Sequence, residues 1–225
     1  MSQTSLRIRR EPARPPAAHV EAFAGAATGH VCDAQWRRGA VHAGIRAMTT
    51  ATAFTGTALT VWAGPRDNLG PWAALQVARP GDVLMVATGD YDGAAVMGDV
   101  LVGMARNAGI VAVVTDGVVR DREGLDALGL PVFARGLSPN SPFKHGPAVV
   151  GEPIALGGCP VAPGDIVVGD GDGVVVVAAE RAEAVAGELA VVRTKEVEME
   201  RAVADGVVVP DWLDATLARL GTDRR

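Results

Sequence analysis

The chain has 225 residues, 48% hydrophobic and 21% charged, with a net charge of −5; this balance predicts one globular domain with a substantial core and excludes a chain disordered throughout. The negative charge argues against a nucleic-acid-binding surface spread over the protein, because phosphate recognition rests on clustered Lys and Arg, and the one basic cluster, Arg7, Arg9, Arg10 and Arg14, lies in a Pro-rich N-terminal segment. No apolar stretch near the N-terminus resembles a signal peptide and none is long enough to cross a bilayer, so a cytoplasmic protein is expected.

Residues 1–19 read as a flexible tail, and the Ala-rich stretch to about Ala47 is helix-compatible. A strand is expected around Ala58–Ala63, then the turn GPRDNLG and a helix from Asn68 to Val77 that Arg79-Pro80-Gly81 closes. DVLMVAT is a short apolar strand of the buried kind, GDYDGAAVMGD a glycine-rich turn, Val100–Ala108 a helix stopped by Gly109, and IVAVVTDG a second buried strand. Strand, helix, strand predicts a parallel crossover. Beyond Asp121 the pattern shortens into PVFARG, the PNSPFKHGP turn, AVVGEPIAL, the GGCPVAPGD turn, IVVGD and GVVVVAA, which read as hairpins and short strands. A long helix is expected from about Ala179 to Asp205, then a short amphipathic terminus, DWLDATLARL. The expectation is a layered α/β fold with one domain over 20–209 and a helical extension over 210–225.

Cys32 and Cys159 stand far apart without a Cys-x-x-Cys spacing, and the four histidines, His19, His30, His42 and His145, form no helical metal pair. A disulfide framework and a zinc site are therefore not expected. GDGDG at 169–173 lacks the remaining ligands of a calcium loop and reads as a hairpin turn. Neither a dinucleotide-type glycine loop nor a Walker-type phosphate loop is present. What remains is a set of charged residues. Asp99 begins a helix, where a carboxylate caps free N–H groups. Arg120 and Asp121 follow a strand and a DG turn; such a pair is a surface ion pair or part of a ligand site. Val185, Leu189, Val192, Met199 and Val203 form a packing seam along the long helix, and Glu196 occupies its one missing place. A carboxylate there lies at the water-exposed edge or finds a cation, a metal or a polar pocket.

GDVL (98–101), GIVAVVTDGVVRD (109–121), PVFARG (131–136) and GGCPVAPGDIVVGDGDGVVVV (157–177) resemble, in the same order, the 4-hydroxy-4-methyl-2-oxoglutarate / 4-carboxy-4-hydroxy-2-oxoadipate aldolases, a family that also contains the regulator of ribonuclease activity A. The resemblance spans roughly residues 24–209. It implies an α-β-β-α layered domain, assembled as trimers or hexamers with an active site between subunits. It also implies that Arg120 holds the pyruvate carboxylate and that Asp121 ligates a divalent metal, Mg²⁺ first, with Mn²⁺ or Co²⁺ as alternatives. In the same pattern Asp99 helps hold water on the metal, and the N–H groups of Val100 and Leu101, just after Gly98, contact the pyruvoyl part. A glutamate from a neighbouring subunit's C-terminal helix completes the set, and Glu196 is the candidate, with Glu198 and Glu200 close by.

The implied activity is retro-aldol cleavage of a 4-hydroxy-2-oxo acid to pyruvate and a second oxo acid, with oxaloacetate decarboxylation as a side activity. Such cleavage leaves an enolate that needs a lysine Schiff base or a divalent metal as electron sink. Lys144 and Lys195 are the only lysines, and neither projects from a core strand, which favours the metal. Two alternatives stand beside this reading: a non-catalytic ribonuclease-regulator-like binding protein, and a lyase of the same family acting on a different 2-oxo acid. The distal part of a substrate would be read by loops such as Asp90–Asp92 or Asn140–His145.

Overall fold

The computed structural model describes residues 6–221. Strands run over Leu6–Ile8 (β1), Arg46–Ala47 (β2), Phe54–Ala63 (β3), Asp82–Ala87 (β4), Ala95–Met97 (β5), Ala112–Thr115 (β6), Val118–Val119 (β7), Val132–Ala134 (β8), Gly136–Leu137 (β9), Ala148–Val150 (β10), Ile154–Leu156 (β11), Cys159–Val161 (β12), Ile166–Asp170 (β13) and Gly173–Val177 (β14). Helices are Ala17–Glu21 (α1), Thr28–Ala34 (α2), Leu69–Ala74 (α3), Asp99–Asn107 (α4), Arg122–Ala127 (α5), Ala182–Ala204 (α6) and Trp212–Arg219 (α7).

The main sheet has the order β1-β10-β3-β4-β6-β8-β2, and its centre, β3-β4-β6-β8, is parallel. Helices α3, α4 and α5 make the three crossovers, so the expected strand-helix-strand unit occurs three times in succession. Central strands covered on both faces read as near-continuous apolar runs, and all six residues of β4 are buried, five of them apolar and the sixth, Asp82, paired with Arg14. Their alternation feeds two cores. Leu84, Val86 and Val113 join Leu101, Val102, Ala105 and Leu125 of the helices, whereas Val83, Met85, Ala112 and Val114 join Val167, Val174 and Val176 on the opposite face. Helix α2 in turn contacts β14. The β13–β14 hairpin belongs to the same sheet, β13 pairing antiparallel with β3, and packs over its second face, which gives the α-β-β-α layering that the resemblance implies.

The GDGDG turn closes the β13–β14 hairpin, with Asp170 opposite Gly173. A Cβ at Gly169 would strike the Phe54 ring, which explains a glycine inside that strand. Asp170 accepts hydrogen bonds from the N–H and hydroxyl of Thr28, both at 2.8 Å, and from the N–H of Asp172.

Three expectations are corrected. The described part of the proposed tail is structured. Leu6–Ile8 pairs in parallel with Ala148–Val150, Arg9 contacts Glu152 at 2.8 Å, and Arg14 grips the buried Asp82 carboxylate at 2.9 and 2.6 Å. A Pro-rich segment without apolar periodicity hides such partners, because they lie far away in sequence. Residues 1–5 fall outside the described residues. The stretch to Ala47 holds two short helices, α1 and α2, and ends in strand β2, with left-handed glycines at 25 and 39. Finally, the first compact unit ends at Leu189 rather than at 209, and residues from Ala190 onward form a second unit. In the first unit, Val185 and Leu189 of α6 are 1% exposed. In the second, Met199 and Val203 of the same seam are 43% and 63% exposed, so its continuation is uncovered in the single chain. No helix among the described residues is long and apolar enough to cross a membrane.

Candidate active site

A second, small parallel sheet, β5-β7-β9, organises the site. The strand read as IVAVVTDG ends at Thr115, and Val118–Val119 form a separate strand beside Ala95–Met97. Both strands deliver their next residues to the same edge. β5 leads into Gly98 and Asp99 at the start of α4, β7 leads into Arg120 and Asp121 at the start of α5, and the Arg120 N–H donates to the Met97 carbonyl at 3.0 Å. Carboxyl ends of parallel strands are where open α/β sheets place ligands.

Gly98, Asp99, Val100, Leu101, Arg120 and Asp121 line one cavity of about 110 Å³, together with Asn68, Trp72, Ser141 and Lys144 among others. Six of the seven residues singled out from the sequence are thereby brought together. The seventh, Glu196, sits on an exposed stretch of α6 in the second unit, while the cavity is formed within the first. The Arg120 guanidinium is held on two sides, donating from Nε to Asp121 Oδ2 at 3.2 Å and from Nη1 to Ser141 Oγ at 2.6 Å. The ion-pair reading is therefore correct as far as it goes, but the pair stands in a cavity wall. Asp121 adopts a left-handed backbone, φ 61° and ψ 46°, which a residue other than glycine adopts at a cost of about 1–3 kcal/mol. A Cβ at Gly98 would strike Asp121 Oδ2, and one at Gly124 would strike Asp99 Oδ2. The two glycines are the space in which the two carboxylates sit.

Asp99 Oδ1 accepts a hydrogen bond from the Val100 N–H at 2.7 Å. The first turn of α4 carries N–H groups with no intrahelical acceptor, and its positive dipole end favours an anion. A ligand using the Val100 N–H must displace the Asp99 carboxylate from it.

The opposite wall is fixed by Asp67, whose buried carboxylate accepts from the N–H groups of Leu69 at 2.9 Å and His145 at 2.6 Å. The Asn68 N–H donates to the Phe143 carbonyl, and Arg66 lies 5.1 Å over the Phe143 ring. The loop bearing Ser141 and Lys144 is thus tied to the start of α3. Sequence reasoning singled out that loop without assigning Ser141 a role, and it missed Asn68 and Trp72 altogether, because both read as ordinary residues of a helix. The other candidate loop, Asp90–Asp92, does not line the cavity. Asp90 instead pairs with Arg135 at 2.6 Å, and beneath it Asp116 receives the Thr88 N–H and hydroxyl. Burial raises the Asp116 pKa above the ordinary aspartate value, against those hydrogen bonds.

Among the described residues no cluster of three or more His, Cys, Asp or Glu side chains is placed to hold a metal. The available donors, Asp121 and the nearby Asp99, are oxygen ligands. They fit Mg²⁺, which keeps most of its waters and takes one or two carboxylates, and they do not fit a closed zinc site.

Comparison with known proteins places the fold and the motifs. Over 154 residues the chain is 38% identical to a candidate 4-hydroxy-4-methyl-2-oxoglutarate aldolase of Halalkalibacterium halodurans, covering 68% of this chain and 73% of that protein. Streptomyces coelicolor RraAS2, an unusual member of the RNase ES inhibitor RraA protein family, superposes with a TM-score of 0.72 at 28% identity, over 84% of this chain and 98% of that one. An uncharacterized protein from Pseudomonas syringae shares the fold, with a TM-score of 0.77 at 24% identity over 87% and 96% of the two chains. The sequence pattern described as Aldolase/RraA matches residues 28–176, more than half of the sequence, and the chain belongs to that RraA-like family.

Proposed function

We propose that the protein is a divalent-metal-dependent pyruvate aldolase that cleaves a 4-hydroxy-2-oxo acid to pyruvate and a second oxo acid, and that it decarboxylates oxaloacetate as a side activity. The observation that carries this reading is the convergence of Arg120, Asp121, Asp99 and the N-terminus of α4 on one cavity. Arg120 presents a planar fork, already oriented by Ser141 and Asp121, that binds the substrate carboxylate through two hydrogen bonds. The first-turn N–H groups of α4 receive the pyruvoyl oxygens. Asp121 would hold the metal, with Asp99 and Glu196 bonded to its water shell, Glu196 reaching the site from another copy of the chain. The bound metal supplies positive charge to the enolate oxygen.

In the cleavage step the C4 hydroxyl loses its proton to water held by Asp99. The C4–O bond becomes a carbonyl, the C3–C4 electron pair passes to the pyruvate enolate, and C3 is then protonated. Lys144, in the same wall, offers a cation for a second carboxylate of the substrate.

Assembly as a trimer or hexamer is part of the reading. It is supported by the exposed apolar side chains Val100 and Met104 on α4, 63% and 48% exposed, and by the uncovered seam of α6. In a coupled assay for released pyruvate, Arg120→Ala and Asp121→Ala are expected to lose at least about 10²-fold in kcat/KM. Full activity in either variant overturns the proposal. The likeness to RraAS2 favours a second reading, a binding protein acting on RNA processing through its surface, for which no pyruvate is released and both variants are silent.

A further inference from the structure

Two buried polar atoms in the described residues have no hydrogen-bond partner, Asn68 Oδ1 and Trp72 Nε1, and both belong to side chains lining the candidate active site. Asn68 is 6% exposed. Buried polar groups in folded proteins are overwhelmingly paired, and an orphan costs its full desolvation penalty. Two orphans on side chains that line one cavity therefore point to a missing partner. They are four positions apart, Asn68 immediately before α3 and Trp72 within it, with the Trp72 backbone N–H 3.4 Å from the Asn68 carbonyl, and both side chains belong to the lining of the same cavity. One atom is an acceptor and the other a donor.

A ligand group that serves both must donate and accept at once. With the Asn68 amide turned as it is, a carboxylate accepts from the indole but sets its lone pairs against Oδ1, and a methyl group leaves both atoms unpaired. A hydroxyl satisfies both. We infer that Asn68 and Trp72 form a hydroxyl-reading pair that selects substrates bearing a hydroxyl on the carbon next to the scissile bond, an assignment that rests on the pyruvate-aldolase reading. In the bound substrate the C4 hydroxyl donates to Asn68 Oδ1, and it turns that proton to the water held by Asp99 as the cleavage step begins. Its oxygen accepts from Trp72 Nε1–H, a bond that strengthens as negative charge develops on that oxygen during proton loss. Asn68 thus acts chiefly on binding and Trp72 chiefly on the chemical step.

Oxaloacetate supplies the control. It shares the carboxylate clamp and the enolate but has no hydroxyl at that carbon. The experiment measures kcat and KM for 4-hydroxy-4-methyl-2-oxoglutarate and for oxaloacetate with added Mg²⁺, using the full chain and the variants Trp72→Phe and Asn68→Leu. The ratio of kcat/KM, hydroxylated substrate over oxaloacetate, is expected to fall at least about tenfold in each variant. The loss is expected mainly in kcat for Trp72→Phe and mainly in KM for Asn68→Leu. Retention of oxaloacetate turnover shows that a variant has folded, and if one fails to fold the other decides. An unchanged ratio in an active variant overturns the hydroxyl assignment and leaves the aldolase reading standing. Absence of turnover of both substrates by the unsubstituted protein overturns the aldolase reading, and the assignment falls with it.

Discussion

At the scale of single residues, the site depends on what two glycines omit. Gly98 has an ordinary negative φ of −139°, so conformation does not require it; space does, because a Cβ would meet the Asp121 carboxylate and the Arg120 chain. Gly98→Ala is therefore expected to displace the pair by a fraction of an ångström to an ångström and to lower pyruvate release by roughly 10²-fold. A thermal melt should show little change in stability. Wild-type activity in that variant would show that the pair tolerates displacement. The GDVL motif placed this glycine in the candidate site, but nothing in the sequence showed why it must lack a side chain, since its neighbour in space lies 23 positions further on. Arg120 and Asp121 were legible as a pair. That their side chains face a cavity was not, because the second strand, Val118–Val119, is too short to carry a periodic pattern.

At the scale of elements, polar anchors hold the layers in place. Arg14 fastens the N-terminal arm to β4 through Asp82, whose side chain is 2% exposed. Removing the guanidinium leaves that carboxylate buried with the Arg79 N–H, so Arg14→Ala is expected to cost about 3–5 kcal/mol in urea unfolding. A loss under about 1 kcal/mol would show that the arm is dispensable.

Asp170 anchors α2 to the β13–β14 hairpin. Burial alone would raise its pKa, yet the hydrogen bonds from Thr28, Asp172 and Gly173 together pull it below the ordinary aspartate value of 3.8. A folded pKa below the unfolded one stabilises the fold above 3.8, and that contribution is lost as pH falls through the folded value. Asp170→Asn should thus cost about 1–2 kcal/mol at pH 7. The gap to the wild type should narrow on acidification, as denaturant melts at several pH values will show; a gap independent of pH would contradict it. The central strands and crossovers were readable because period and apolar run length report burial directly. The arm was not, since its stability comes from an ion pair spanning 68 positions.

At the scale of the whole molecule, the first unit carries the cavity and the second carries Glu196 on a helix with Val197, Met199 and Val203 exposed. Uncovered apolar side chains in regular array predict self-association. The chain is expected to sediment as a trimer or hexamer, and a Met199→Glu, Val203→Glu double variant to shift toward monomer with loss of activity. A monomeric, fully active wild type would contradict it. The fold and the family were legible in the sequence, and so was the set of six residues that line one cavity, because motif spacing survives where side-chain geometry does not. The unpaired Asn68 Oδ1 and Trp72 Nε1 were not, since an unpaired hydrogen-bonding group exists only once the chain has folded around it.

The central claim is carbon–carbon cleavage at the cavity by the N-terminus of α4. Its most direct test is pyruvate formation from 4-hydroxy-4-methyl-2-oxoglutarate by the purified full chain, with Mg²⁺ added and then removed by EDTA. Metal-dependent pyruvate release that EDTA abolishes is the predicted result. No release, or release indifferent to EDTA, would contradict the account.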